Sequence, residues 1–120
     1  MPNRIHSWHL FSIRLNTQRF DIDRDAIIDE LKRAGVGTSV HWMPLHMHPY
    51  YQETQHCSPE DCPCAAAVFP QLVSLPIYPD MTTDDVEYVC RNLVEIIARS
   101  RVTVPGLSFH QPIVSFAVRP

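Results

Sequence analysis

Lysine is almost absent from this chain: Lys32 is the only one in 120 residues. Any Schiff-base chemistry would rest on that one amine, yet Lys32 adjoins Asp25, Asp29 and Arg33 on the polar side of an expected helix, the setting of a solvated charge. Glycine is nearly as scarce, confined to Gly35, Gly37 and Gly106. Two of these fall in "AGVGTS", but neither the Walker pattern nor G-x-G-x-x-G occurs, which excludes nucleotide hydrolysis by a P-loop. Basic charge is also short, the net charge being −3, so no nucleic-acid partner is expected. No apolar run reaches the length of a membrane helix, and "MPNRIHSWHLF" lacks the charged-then-apolar order of a signal peptide. The expectation is a soluble, cytoplasmic protein with no membrane partner. Cys57, Cys62, Cys64 and Cys90 would suffice for two disulfides, but three crowd into eight residues and nothing indicates secretion, so reduced thiols are expected.

What is present is ordinary globular composition, 45% hydrophobic and 19% charged, in a length suited to one core. "WHLFSIRL", residues 8–15, alternates as a strand with one more apolar face. Next comes "DIDRDAIIDELKRAGVG", with Asp21 or Asp23 as N-cap, Ile27, Ile28, Leu31 and Ala34 at helical spacing, and Gly35 placed to end the helix. "VGTSVHW" alternates β-branched residues and predicts a second strand that delivers His41 and Trp42 to opposite faces. A polar loop follows, then a short helix from Pro63 that Pro70 ends or kinks. "SLPIYP" is extended, its prolines confining it to an edge or loop. Thr82 then caps a helix with Val86, Val89, Cys90, Leu93 and Ile97 as its apolar stripe. This order predicts an α+β fold, a small antiparallel or mixed sheet covered by helices, over residues 1–100. Residues 101–120 form an irregular tail that could add a strand, wrap a neighbour or be partly disordered.

Chemistry concentrates in "HWMPLHMHPYY", residues 41–51, where Pro44 and Pro49 argue against a regular helix. Zinc is one option, since His46, His48, His56, Cys57, Cys62 and Cys64 lie close in sequence, but C-x4-C-x-C matches none of the common zinc frames. Cys57 lies beside His56, but with no identifiable orienting carboxylate it makes a poor nucleophilic pair. Asp84 and Asp85 sit at a helix start, where capping explains them without catalysis. The remaining reading is a ligand-holding loop: prolines fix the backbone, His46 and His48 donate or accept near neutral pH, and Trp42, Tyr50 and Tyr51 offer flat surfaces with polar edges. A sugar, a base or a cofactor ring would suit it.

Three segments, "SWHLFSIRL", "RDAIIDELKRAGVGTSVHWMPLHMHPYY" and "SLPIYPDMTTDDVEYVCRNL", resemble the C-terminal small domain of sugar aminotransferases of the DegT/DnrJ/StrS type, across about residues 5–98. The matching family patterns are a "GI-T-VHY-PLH-QPYY" loop and a "SLPLYP-MT-DDV" segment. Val36, Trp42 and His48 are variations on the first, and Ala66 stands where the family has a glutamate. The resemblance implies the C-terminal domain of the aspartate-aminotransferase fold. It also implies a pyridoxal-phosphate enzyme that transaminates keto sugars on nucleotides. In that family the Schiff-base lysine and most cofactor contacts belong to a larger domain, so no catalytic residue and no cofactor are expected on this chain alone. What carries over is substrate binding: His46 from the PLH histidine, with His41, Trp42, Tyr50 and Tyr51 beside it. The implied partners are the large domain, a second chain or a second copy, with tail residues such as Phe109 and Ile113 joining the contact, and a nucleotide sugar as ligand. The alternatives are a non-enzymatic nucleotide-sugar or protein-binding module and a small zinc-stabilised domain.

Overall fold

The alternation in "FSIRL" builds the central strand, β1 (Phe11–Leu15): Ile13 and Leu15 are buried at 1% and 0% exposure, while Arg14 faces solvent. The computed structural model describes residues 7–19 and 21–100 and the backbone of 114–116. β1 starts three residues later than the sequence pattern suggests. Trp8 has φ 49°, in the left-handed region, which breaks the extended path ahead of Phe11.

β2 (Leu72–Leu75) pairs antiparallel with β1, Phe11 opposite Leu75 and Ile13 opposite Val73. β3 (Val114–Phe116) pairs antiparallel on the other side, Leu15 opposite Val114, giving the order β2-β1-β3. The tail thus supplies a strand, and its remaining residues, Phe109 and Ile113 among them, lie outside the described residues. β2 ends before Pro76, which has no N–H to offer a ladder, so the extended segment expected over 74–79 is displaced toward residue 72.

The second strand predicted in "VGTSVHW" shrinks to one bridge. Ser39 exchanges both backbone hydrogen bonds with Ser74, at 3.1 and 2.8 Å. In that register Gly37 falls opposite Pro76, where no donor exists, and the ladder stops.

α1 (Arg24–Arg33) begins at Asp23, whose carboxylate accepts from the Ala26 N–H at 2.8 Å, and buries Ile27 and Leu31 completely. It ends as the sequence predicts: Gly35 has φ 76°, its N–H bonds to Lys32 O, and the Val36 N–H bonds to Leu31 O. That is the paired Schellman arrangement, and it seats Val36 in the core.

α4 (Thr83–Arg99) starts with a reciprocal box in which Thr82 and Asp85 each satisfy the other's backbone N–H. It buries Val89, Leu93, Ile96 and Ile97. Val86 and Cys90, expected in the buried stripe, are exposed. Both line an open groove beside Trp8, whereas the buried stripe turns toward Ile96. α1 and α4 pack together on the sheet face that carries Ile13, Leu15 and Val73, forming one core.

Two shorter helices complete the chain. α3 (Pro63–Val68) starts on its proline as expected and passes into a 3-10 turn, Phe69–Gln71, that contains Pro70. α2 (Pro49–Gln55) departs from the sequence pattern, in which Pro49 argues against a regular helix and residues 50–63 read as a polar loop. Pro49 instead occupies the first turn, where its missing N–H costs nothing, and the polar, exposed helix runs to His56 at φ 55°.

The Asp85 carboxyl is held below its ordinary value of 3.8 by the Thr82 hydroxyl and then by the Thr82 backbone N–H. A depressed folded value means that this contribution is complete above the ordinary value and fades as pH falls through the folded one. Thermal melts followed by circular dichroism should therefore show part of the acid destabilisation below pH 3.8 disappearing in Asp85→Asn. An unchanged pH profile in the variant would count against the box.

Candidate functional site

The stretch 41–51 begins where the Ser39–Ser74 bridge ends. His41 Nδ1 lies 3.0 Å from Ser74 Oγ and 3.2 Å from Ser39 Oγ, and Ser74 Oγ lies 2.9 Å from Ser12 Oγ on the neighbouring strand. These hydroxyls occupy the sheet face opposite the core, since Ser12 and Ser74 alternate with Ile13 and Val73. The sequence put His41 and Trp42 on opposite faces, but their rings meet edge-on, centroids 4.7 Å apart at 84°, across a cis peptide. Side chains follow the strict alternation of a strand only where a ladder holds the backbone, and none does past Ser39. Trp42 is 77% exposed.

Pro44 then leads into a 3-10 turn, Leu45–Met47, closed by Met47 N–H to Pro44 O at 2.9 Å and His48 N–H to Leu45 O at 3.1 Å. His48, for which sequence reading had no task, closes the loop from outside: its Nε2–H donates to Met43 O at 3.1 Å. His46 is buried, 9% exposed, and its Nε2 is enclosed with no hydrogen-bond partner among the described residues. Tyr50 and Tyr51 stand on the first turn of α2 with rings edge-on at 5.3 Å, exposed by 67% and 36%.

The loop therefore has two halves. Trp42, Tyr50 and Tyr51 offer aromatic surface to solvent, whereas His41 and His46 are turned inward, one anchored and one unsatisfied. An enclosed imidazole nitrogen with no partner has hydrogen-bonding capacity to spare. Sequence reading missed Ser12, Ser39 and Ser74. The available signal was the period-two placement of serine in "FSI" and "VSL", the polar face of two paired strands.

The metal-ligand side chains of residues 46–64 are not gathered. Among the described residues no group of three or more His, Cys, Asp or Glu is placed to hold an ion, and the four cysteines are free. Glu60, in the 3-10 turn Pro59–Asp61, is held below its ordinary value by the Ser58 hydroxyl and a backbone N–H, a capping effect. Lys32 is exposed on α1. With that single amine at the surface, the residues present do not fit an aldehyde cofactor such as pyridoxal phosphate. Elsewhere, Trp8, Phe11, Ile77, Val86 and Cys90 help to line a separate, almost wholly apolar groove of about 270 Å³. No described helix is long and apolar enough to cross a membrane.

Comparison with known proteins places this geometry in a wider frame. Residues 1–94 match the model of the DegT/DnrJ/EryC1/StrS aminotransferase family. The chain is 44% identical over 96 residues to protein MJ1066 of Methanocaldococcus jannaschii, covering 80% of this chain and 25% of that one. It is 37% identical over 93 residues to the spore coat polysaccharide biosynthesis protein SpsC of Bacillus subtilis, covering 77% and 24%. Among solved structures it is similar to Spr1654 of Streptococcus pneumoniae, assigned as a sugar aminotransferase. The PLP form gives a TM-score of 0.68 at 25% identity over 76% of this chain and 23% of that one, and the PMP form a TM-score of 0.68 at 25% identity over 76% and 22%. The chain spans about a quarter of the curated relatives it matches.

Proposed function

This chain belongs to the DegT/DnrJ/EryC1/StrS aminotransferase family, and we propose that its residues 41–51 form one wall of a nucleotide-sugar cleft while the amine that holds pyridoxal phosphate comes from another polypeptide segment. The observation that carries the reading is the combination of exposed aromatic rings in this stretch with a surface lysine. Trp42 stands 77% exposed on a loop fixed by Pro44 and His48, whereas Lys32, the only lysine, lies on the outer side of α1.

In this reading Trp42, Tyr50 and Tyr51 bind the flat part of the ligand, a base or a sugar ring, whose apolar faces suit exposed aromatic rings. His41 is held by hydroxyls beside Trp42, and His46 brings an unsatisfied Nε2 that a polar group of the substrate or of the adjoining segment completes. The apolar groove around Trp8 is the face for a larger domain, a second chain or a second copy, because an uncovered patch of that kind is a common association surface. A cytoplasmic location accords with a nucleotide-sugar ligand.

The reading predicts binding without turnover. Titration of the 120-residue chain with UDP-glucose, followed by Trp42 fluorescence in a Trp8→Phe background, should give a saturable change with a dissociation constant of roughly millimolar or tighter. A signal that stays linear through that range, or that survives in Trp42→Phe, contradicts it.

A further inference from the structure

Ser12, Ser39, Ser74 and His41 form a polar seam that the sheet ladder itself does not require. The pairing of β1 with β2 and the Ser39–Ser74 bridge are made by main-chain atoms, so alanine at any of the three serines would leave every backbone bond in place. Ser74 is nonetheless 3% exposed, and a buried hydroxyl is costly unless partnered. Its partners are Ser12 Oγ at 2.9 Å and His41 Nδ1 at 3.0 Å, with Ser39 Oγ also 3.2 Å from that nitrogen. The imidazole is thus gripped at one atom by two hydroxyls from the two sides of the bridge.

The other consequence lies at the far side of the ring. His41 meets Trp42 edge-on at 4.7 Å, and the indole is otherwise 77% exposed. An exposed indole with nothing beside it samples several rotamers, and a ligand that stacks on it must first order it. We propose that His41 is a positioning residue for Trp42: the Ser39 and Ser74 hydroxyls hold the imidazole through Nδ1, and the held imidazole presents the indole in one orientation. The proposal deepens the cleft reading above and rests on it for the meaning of Trp42.

The device tolerates either neutral tautomer. With the proton on Nε2, Nδ1 accepts from Ser74 or Ser39. With the proton on Nδ1, it donates to one of them, and the Ser74 hydroxyl turns to donate to Ser12. Among the described residues no carboxylate bonds to His41, so the seam holds a position and does not form a charged proton relay.

The test uses the Trp8→Phe chain, in which Trp42 is the only tryptophan. Time-resolved anisotropy reads the motion of its indole. In Ser39→Ala/Ser74→Ala the ring of His41 is intact but Nδ1 has lost both hydroxyls. The fast-decaying share of the anisotropy should rise at least about twofold, the signature of freed nanosecond rotamer motion. Ser39→Thr/Ser74→Ala keeps one hydroxyl, at an exposed position, and should restore the parent decay; a merely structural serine role would not give that rescue. If circular dichroism finds the double alanine variant unfolded, His41→Phe takes its place, keeping an aromatic edge beside Trp42 and the Ser12–Ser74 bond while removing Nδ1. A parent-like decay in either Nδ1-deprived variant, or a threonine variant as mobile as the double alanine, overturns the proposal. The decay is read on the free chain. A chain that shows the mobility pattern but does not bind UDP-glucose supports the positioning role and removes only the ligand reading of Trp42.

Discussion

Leu15→Ala is expected to lower the unfolding free energy by about 2–5 kcal/mol, the range for deleting a fully buried leucine and leaving part of its cavity. Leu15 has 0% exposure and lies on the central strand, flanked by β2 and β3, with α1 and α4 over the same face. A domain of this size holds only about 5–15 kcal/mol in total, so the variant should lose a large share of its cooperativity margin. Arg14→Ala, one residue away, should stay within about 0.5 kcal/mol. Arg14 faces solvent, and its bond to the Gln71 side chain is an exposed one. Urea denaturation of both variants checks the contrast. Comparable losses at the two positions would mean that the strand's inward and outward faces have been misassigned.

That register was legible from residues alone because alternation and capping are local signals. Asp23, Gly35 and Thr82 define the ends of the two long helices through bonds made within a few residues, and α1 and α4 appear where those caps require. What the chain concealed depends on partners distant in sequence. Val36–Trp42 has the composition of a strand, but among the described residues it bridges to β2, where Pro76 ends the ladder. β3 is one of the three fates that the sequence left open for the tail, and the choice among them rests on pairing with β1, which no local pattern fixes. Pro49 was ambiguous in a different way: the same missing N–H that stops a helix in its middle suits its first turn.

The candidate site was half legible. Its residue types and the prolines that stiffen it are written in "HWMPLHMHPYY", whereas the exposure of Trp42, Tyr50 and Tyr51 was not, because an aromatic side chain suits a core as well as a ligand surface. Burial of His46 was not, because a short turn gives no periodicity from which to read the inward side. Nor was the seam under His41, which joins Ser12 to Ser74 across 62 residues.

The second large effect follows from that exposed wall. Trp42→Ala is expected to weaken UDP-glucose binding by about fivefold or more, because stacking of a base on an aromatic ring contributes roughly 1–3 kcal/mol. The indole is 77% exposed, so the variant should keep its thermal midpoint while losing affinity. Calorimetric titration suits this variant, which has lost its fluorescent reporter. Tyr50→Ala should give a smaller loss of the same kind, and equal affinity in the Trp42 variant and the parent would remove Trp42 from the wall.

The central claim is that this chain contributes cleft surface and not the Schiff-base amine. Its most direct test is half-transamination: pyridoxal phosphate and glutamate mixed with the pure chain, with formation of pyridoxamine phosphate followed by absorbance. The account predicts the slow rate of the free cofactor, with no saturation in glutamate and no change in Lys32→Gln. A fast, saturable conversion that Lys32→Gln abolishes would contradict it.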